Sequence, residues 1–179
     1  NAGIMGQNTR AVKKYYSLRT AADFNARIIE TGLDGMQLSI DGTEVWTKIT
    51  GRFNAYNILA SYAAAVLLGN DKERILQSLS RQHPVEGRFD TIYSPNGITA
   101  VVDYAHTPDA LDNVLRTISQ INRENGGVIT VLGCGGDRDK AKRPLMAAIA
   151  AAYSQRLILT SDNPRSENPS EIIVEMKQG

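Results

Sequence analysis

Asp162-Asn163-Pro164-Arg165 sets an acid, an amide and a guanidinium around one stiff proline. An arginine fork can clasp a carboxylate through two parallel, charge-assisted hydrogen bonds. Asn and Asp can each orient an ammonium or amide partner, so the set suits a zwitterionic amino-acid group. The plainer reading is a surface pair of Arg165 with Asp162 or Glu167, worth little. A second cluster, Asp137-Arg138-Asp139, follows the loop Gly133-Cys134-Gly135-Gly136. It reads either as a self-neutralising surface group or as a second ligand arm. A third loop runs Asp103-Tyr104-Ala105-His106-Thr107-Pro108. A carboxylate at a strand's end commonly accepts hydrogen bonds from ribose hydroxyls, and capping the loop is an equal use for Asp103. His106 could touch a nucleotide or stabilise its turn. Asn54 and Asn57 lie one turn apart on one helix face. There the local reading, an asparagine cap, is the stronger one.

Other chemistries are poorly served. The chain has no Gly-x-x-x-x-Gly-Lys-[Ser/Thr] run and no Gly-x-Gly-x-x-Gly spacing, so a self-contained phosphate cradle is missing. Two His and one Cys do not make a zinc site, and no metal ligands are assigned. Cys134 has no His or Cys at metal spacing and reads as a small residue in a tight turn. His83 reads as linker.

The elements that must carry these loops follow from pattern. Ala21–Glu30 reads as a short helix with Ala22, Ala26 and Ile29 on one side. Met36–Ile40 and Thr43–Ile49 read as strands joined at Asp41-Gly42, a hairpin signal. Gly51 through Asn57 leads into a helix to Leu68, with Ile58, Leu59, Tyr62, Ala63, Val66 and Leu67 at helical spacing and Gly69 as the stop. Asp71 caps a second helix to about Arg81, burying Ile75, Leu76 and Leu79. His83-Pro84-Val85-Glu86-Gly87 breaks both helix and strand and marks a domain boundary. Beyond it, Arg88–Tyr93 and Ile98–Val102 flank Pro95-Asn96-Gly97, another hairpin. Thr107-Pro108 starts a helix with the stripe Leu111, Val114, Leu115, Ile118 and Ile121. Strand Val128–Leu132 follows, then a helix from Pro144 with Leu145, Ile149 and Ala152 inward. Strand Leu157–Leu159 and a helix from about Ser170 complete the order. From Ile98 onward that order is β-α-β-α-β-α, which implies an α/β fold with a mainly parallel sheet. In such a sheet the strands' C-terminal loops gather at one edge.

Composition agrees with a globular protein: 42% hydrophobic, 22% charged, net charge +1 over 179 residues. That charge offers no nucleic-acid footprint, and no apolar run reaches membrane-spanning length. A single cysteine excludes an internal disulfide and fits a reducing cytosol.

Taken in order, several motifs resemble the Mur ligases, and among them the members that add the third amino acid to the peptidoglycan precursor. The matching pieces are Gly51-Arg52-Phe53-Asn54-Ala55-Tyr56-Asn57, Gly87-Arg88-Phe89, Val102 through Leu111, Gly133 through Asp139, Lys142-Arg143-Pro144 and Thr160 through Arg165. Glu86 departs from the proline common before Gly-Arg. The resemblance implies an ATP-dependent amide ligase of the cytoplasm, with a Rossmann-like C-terminal domain. Residues 1–83 would be the tail of the central ATPase domain and residues 84–179 a truncated C-terminal domain. By the same resemblance Asn57 contacts adenine, Asp103 the ribose and Arg88 the terminal phosphates, where it stabilises charge during phosphoryl transfer. Asn54 and His106 are further neighbours of the nucleotide. Arg138, Asp162, Asn163, Pro164 and Arg165 hold meso-diaminopimelate, which is added to a UDP-MurNAc dipeptide. Leaving the second carboxylate site unpaired would cost about 2–5 kcal/mol and so disfavour lysine. The family's phosphate-binding loop, Mg2+ ligands and UDP-binding domain match nothing in these residues, so the chain reads as a fragment, inactive alone. A standalone α/β binding module, or a related lysine-adding or polyglutamate-forming ligase, are the competing readings.

Overall fold

The computed structural model describes residues 6–122 and 126–179, and the chain divides into two units between Pro84 and Val85. The expected boundary lay one residue earlier.

The first unit packs a four-stranded sheet against two helices. Its strands are β1 (Tyr16–Ser17), β2 (Phe24–Gly32), β3 (Gly35–Ile40) and β4 (Thr43–Thr47), ordered β1-β2-β3-β4. The short β1 runs parallel to β2, and the other pairings are antiparallel. Met36, Leu38 and Ile40 alternate onto the buried face of β3. Ile40 pairs with Thr43, and the intervening Asp41 and Gly42 take φ 48° and 88°, the two left-handed residues that a tight two-residue hairpin turn needs.

Residues 21–30 are not a helix. β2 occupies most of them, with Phe24 and Ala26 buried and Ile29 exposed. The period-two set Phe24, Ala26, Ile28 meets the core, and pairing with β3 supplies what local alanine propensity opposed. Helix α1 (Arg52–Leu67) buries Ala55, Ile58, Leu59, Tyr62 and Ala63, and Gly69 follows it at φ 84°. Leu67, expected on the stripe, is exposed at the helix end. Asp71 caps α2 (Lys72–Arg81) by accepting the Arg74 N–H at 3.0 Å.

The second unit holds the strands β5 (Asp90–Tyr93), β6 (Thr99–Val102), β7 (Ile129–Cys134) and β8 (Arg156–Ser161). Its helices are α3 (Pro108–Ile121), α4 (Lys142–Tyr153) and α5 (Pro169–Met176). Thr107 and Asn168 cap α3 and α5, each followed by a proline at the helix start. β7 and β8 pair in parallel, from Ile129↔Arg156 to Cys134↔Ser161. The core joins Leu111 and Leu115 to Leu132, Cys134, Met146, Ala147, Ala150, Ile172 and Met176.

Two expectations change here. Among the described residues β6 has a ladder only to β5, antiparallel, because the Pro95-Asn96-Gly97 turn folds the two together. The α/β class holds, and the parallel pairing in this unit is β7 with β8. Helix α4 begins at Lys142, and its inward residues are Arg143, Met146, Ala147 and Ala150. Leu145 and Ala152 face outward and Ile149 is half-buried. No helix among the described residues is long and apolar enough to cross a membrane.

Candidate functional site

The parallel pair β7–β8 delivers two loops to one edge, and they are bound to each other. Gly136 donates its N–H to the Asn163 carbonyl at 2.9 Å. Arg165 returns a guanidinium hydrogen bond to the Gly136 carbonyl at 2.6 Å. The Ser166 hydroxyl and N–H both reach the Asp137 carboxylate, at 2.6 and 3.2 Å. These contacts hold the Asp137 carboxyl below its usual range, the Ser166 hydroxyl contributing most. At Gly136, where the neighbour is backbone, the approach is close enough to require glycine. A Cβ on Gly136 would stand 1.8 Å from the Pro164 carbonyl oxygen, and one on Gly135 2.8 Å from the Arg165 guanidinium.

Arg165 does not form the surface pair with Asp162 or Glu167 that its spacing allowed. It adopts φ 49°, in the left-handed region that a branched or long side chain seldom enters. Its N–H is met by the Asn163 side-chain oxygen at 3.3 Å. Pro164 is half-buried between two exposed neighbours. Arg138 and Asp162 are exposed, and neither side chain has a hydrogen-bonded or ion-paired partner among the described residues. One cation and one anion with unmet bonding capacity thus sit on two joined loops, beside the partly engaged Arg165.

Sequence reasoning missed what joins them. Arg143 is fully buried and grips Glu167 with both terminal nitrogens, at 2.9 and 2.8 Å. It also donates to Glu175 at 2.5 Å and to the Gly135 carbonyl at 3.2 Å. Glu167 accepts the Asp137 N–H at 2.6 Å and pairs with Lys140 at 3.1 Å. The Arg143 contact, first among several, holds the Glu167 carboxyl down at about 2. The signal was present: Arg143 shares the spacing i, i+3, i+4, i+7 with Met146, Ala147 and Ala150. An arginine is seldom counted into such a stripe because few are buried unpaired.

The loop after β6 forms a second group. Asp103 accepts the Phe89 N–H at 2.7 Å, and the Tyr104 N–H reaches the Gly87 carbonyl at 2.9 Å. Asp103 therefore ties down its neighbouring turn rather than capping its own loop. Arg88 lies over the Tyr104 ring, 5.1 Å from the centroid, in a cation–π contact. Tyr104 also meets the His106 ring at 5.2 Å between centroids, and His106 Nδ1 contacts the Tyr104 carbonyl oxygen at 3.1 Å. His106 is thus a turn-stabilising residue in this geometry. The Lys142 ammonium donates to the His106 carbonyl at 2.8 Å. The first turn of α4 consequently reaches both groups, Lys142 to one and Arg143 to the other.

Asn54 and Asn57 belong to the first unit. Neither caps α1, whose cap position is Gly51. Asn54 donates to the Thr50 carbonyl at 2.8 Å, and its oxygen accepts from Asn57 at 3.2 Å. That orients Asn57 while leaving its carbonyl oxygen without a partner among the described residues. Cys134 is buried and its thiol is pushed up by that burial, which disfavours a nucleophilic role. His83 contacts Lys48 at 3.2 Å. Among the described residues no group of three or more His, Cys, Asp or Glu could hold a metal ion.

Comparison with known proteins adds to this geometry. Residues 87–179 match the family described as Mur ligase, glutamate ligase domain. A curated relative from Parabacteroides distasonis, named UDP-N-acetylmuramoyl-L-alanyl-D-glutamate--2,6-diaminopimelate ligase, is 56% identical over 176 residues, covering 98% of this chain and 36% of the relative. Its namesake from Phocaeicola vulgatus is 54% identical over 179 residues, covering 100% of this chain and 37% of the relative. A solved structure of a ligase of the same name is 37% identical with TM-score 0.58, covering 93% of this chain and 34% of that one. The chain therefore spans about a third of the length of the relatives it matches.

Proposed function

Because the chain belongs to the Mur ligase family, we propose that it is part of an ATP-dependent ligase that joins meso-diaminopimelate to UDP-MurNAc-L-alanyl-D-glutamate. The reading is of a cytoplasmic enzyme, in which residues 1–84 are the tail of a central ATPase domain and residues 85–179 belong to the C-terminal domain. ATP phosphorylates the D-glutamyl carboxylate, giving an acyl phosphate and ADP. The amine of diaminopimelate attacks that carbonyl, an amide forms and phosphate leaves. Mg2+ accompanies ATP in such chemistry. Among the described residues no group of three or more His, Cys, Asp or Glu is arranged to hold it.

The observation that carries the reading is the joined pair of loops, with Arg138, Asp162 and part of Arg165 open to a ligand. Diaminopimelate ends in an ammonium and a carboxylate where lysine has only the ammonium. Arg165 and Arg138 supply guanidinium forks for carboxylates, and Asp162 with Asn163 can meet the ammonium. Pro164 stiffens the loop between them. On the nucleotide side, Asp103 keeps one carboxylate oxygen for a ribose while the other holds Phe89. Arg88, which lies over the Tyr104 ring, is the residue assigned to neutralise phosphate charge as it develops, a role a guanidinium suits. Asn57 offers an acceptor to the adenine amino group, held in orientation by Asn54. His106 supports this loop through its turn.

The test uses the full-length ligase, with product formation measured against each substrate in turn. Arg165→Ala should raise KM for meso-diaminopimelate by about 30-fold or more, from the loss of a charged pair, while KM for ATP changes little. Equal use of lysine and diaminopimelate by the unmutated enzyme would overturn the amino-acid assignment.

A further inference from the structure

The two loops after β7 and β8 both meet one fully buried arginine. Arg143 has no exposed side-chain surface, and its two terminal nitrogens take both oxygens of Glu167. A bidentate fork fixes both distance and orientation, which a single contact does not. Glu167 passes that constraint on in two directions. It accepts the N–H of Asp137, the residue before Arg138. It also lies two residues after Arg165 and closes the turn through its own N–H to the Pro164 carbonyl at 2.9 Å. Arg143 further holds the Gly135 carbonyl. The second carboxylate it meets, Glu175, lies on α5 and reaches the loop after β7 only through a looser ion pair with Lys140 at 3.7 Å. Arg143 with Lys140 balances Glu167 with Glu175, so the charge on the buried arginine is compensated, with Lys140 at the exposed rim.

We propose that Arg143, acting through Glu167, is a positioning residue that sets the gap between the Arg138 and Arg165 loops and so governs selectivity for a diamino dicarboxylic acid over lysine. The proposal rests on the ligase reading above. Neither residue contacts the substrate. Their effect passes through the backbone of Asp137 and the turn from Pro164 to Glu167. Small errors in such a gap are expensive, since a misplacement of about 1 Å can cost about a hundredfold in rate.

The experiment is a steady-state comparison in the full-length ligase. Glu167→Gln removes the ionic fork with little change of shape, and Glu175→Gln removes the other carboxylate on the same guanidinium. Glu167→Gln is expected to raise KM for meso-diaminopimelate by about tenfold or more and to lower its preference over lysine, with KM for ATP within about twofold. Glu175→Gln is expected to lower Tm without moving either KM. A merely structural role predicts that both variants lower Tm and neither separates the two KM values, and that result would overturn the proposal. If Glu167→Gln does not fold, Ser166→Ala tests whether the gap between the same two loops matters, because it removes a second, surface bond between them, the hydroxyl bond to Asp137. It should still raise KM for diaminopimelate selectively, by about threefold, and no selective change would count against the proposal. A separate outcome, an unmutated enzyme that does not use diaminopimelate, refutes the functional reading before any variant is compared.

Discussion

Gly136→Ala is the sharpest probe of the joined loops. The added methyl would stand 1.8 Å from the Pro164 carbonyl oxygen and 2.6 Å from its carbon, and both are backbone atoms. Ordinary contact begins near 3.4 Å, so the loops must part by about 1.6 Å. Gly136 does not use the left-handed region, so lack of space is the whole of the cost. Overpacking of this kind costs about 1–3 kcal/mol, which for a protein of this size lowers Tm by about 2–4 °C per kcal/mol. Parting also stretches the Gly136–Asn163 bond and the Arg165 bond to the Gly136 carbonyl. KM for meso-diaminopimelate in the full-length ligase should therefore rise by at least about tenfold. Gly127→Ala is the control, since a Cβ there meets nothing within 4 Å. It should stay within about 0.5 kcal/mol of the parent. Thermal unfolding and substrate titration, run on both variants, decide the matter. A Gly136→Ala protein as stable as the control and with unchanged KM would refute the claim that backbone contact sets this gap.

Asp103→Ala removes the acceptor of the Phe89 N–H together with the proposed ribose contact. It should cost about 1 kcal/mol by denaturant titration and raise KM for ATP, whereas Asp103→Asn should keep most of the stability and still weaken ATP. Acid should loosen the loops in a defined window. Glu167 titrates at about 2 here against an ordinary 4.5, so its tie contributes in full above about 4.5 and is lost as pH falls toward 2. Asp137, also lowered, acts in the same direction. Tm measured against pH should fall below about pH 4.5, and Glu167→Gln should flatten that fall.

Features written in neighbouring residues were legible before any coordinates. The Asp71 cap, the Thr107-Pro108 helix start and the Asp41-Gly42 turn depend on local backbone chemistry, and each stands where its residues indicate. Features that depend on distant partners were not. Residues 24–32 form a strand because β3 offers a ladder and the core accepts Phe24 and Ala26. The face of α4 was misjudged because it turns on Arg143, whose burial is made tolerable by carboxylates 24 and 32 residues further along. Of the candidate residues, those after β7 and β8 are brought together as one group. Arg88, Asp103 and His106 form another through Tyr104. The asparagine pair lies in the first unit, and its internal hydrogen bond is visible only once the helix start at Arg52 is fixed.

Under the proposed function, Arg165 carries a conflict between ease of folding and recognition. Its left-handed backbone is one that glycine or asparagine would adopt with less strain. A directed-evolution campaign that rewards heat tolerance alone would drift toward those residues at this position, and the survivors would be sturdier proteins that no longer tell one amino acid from another.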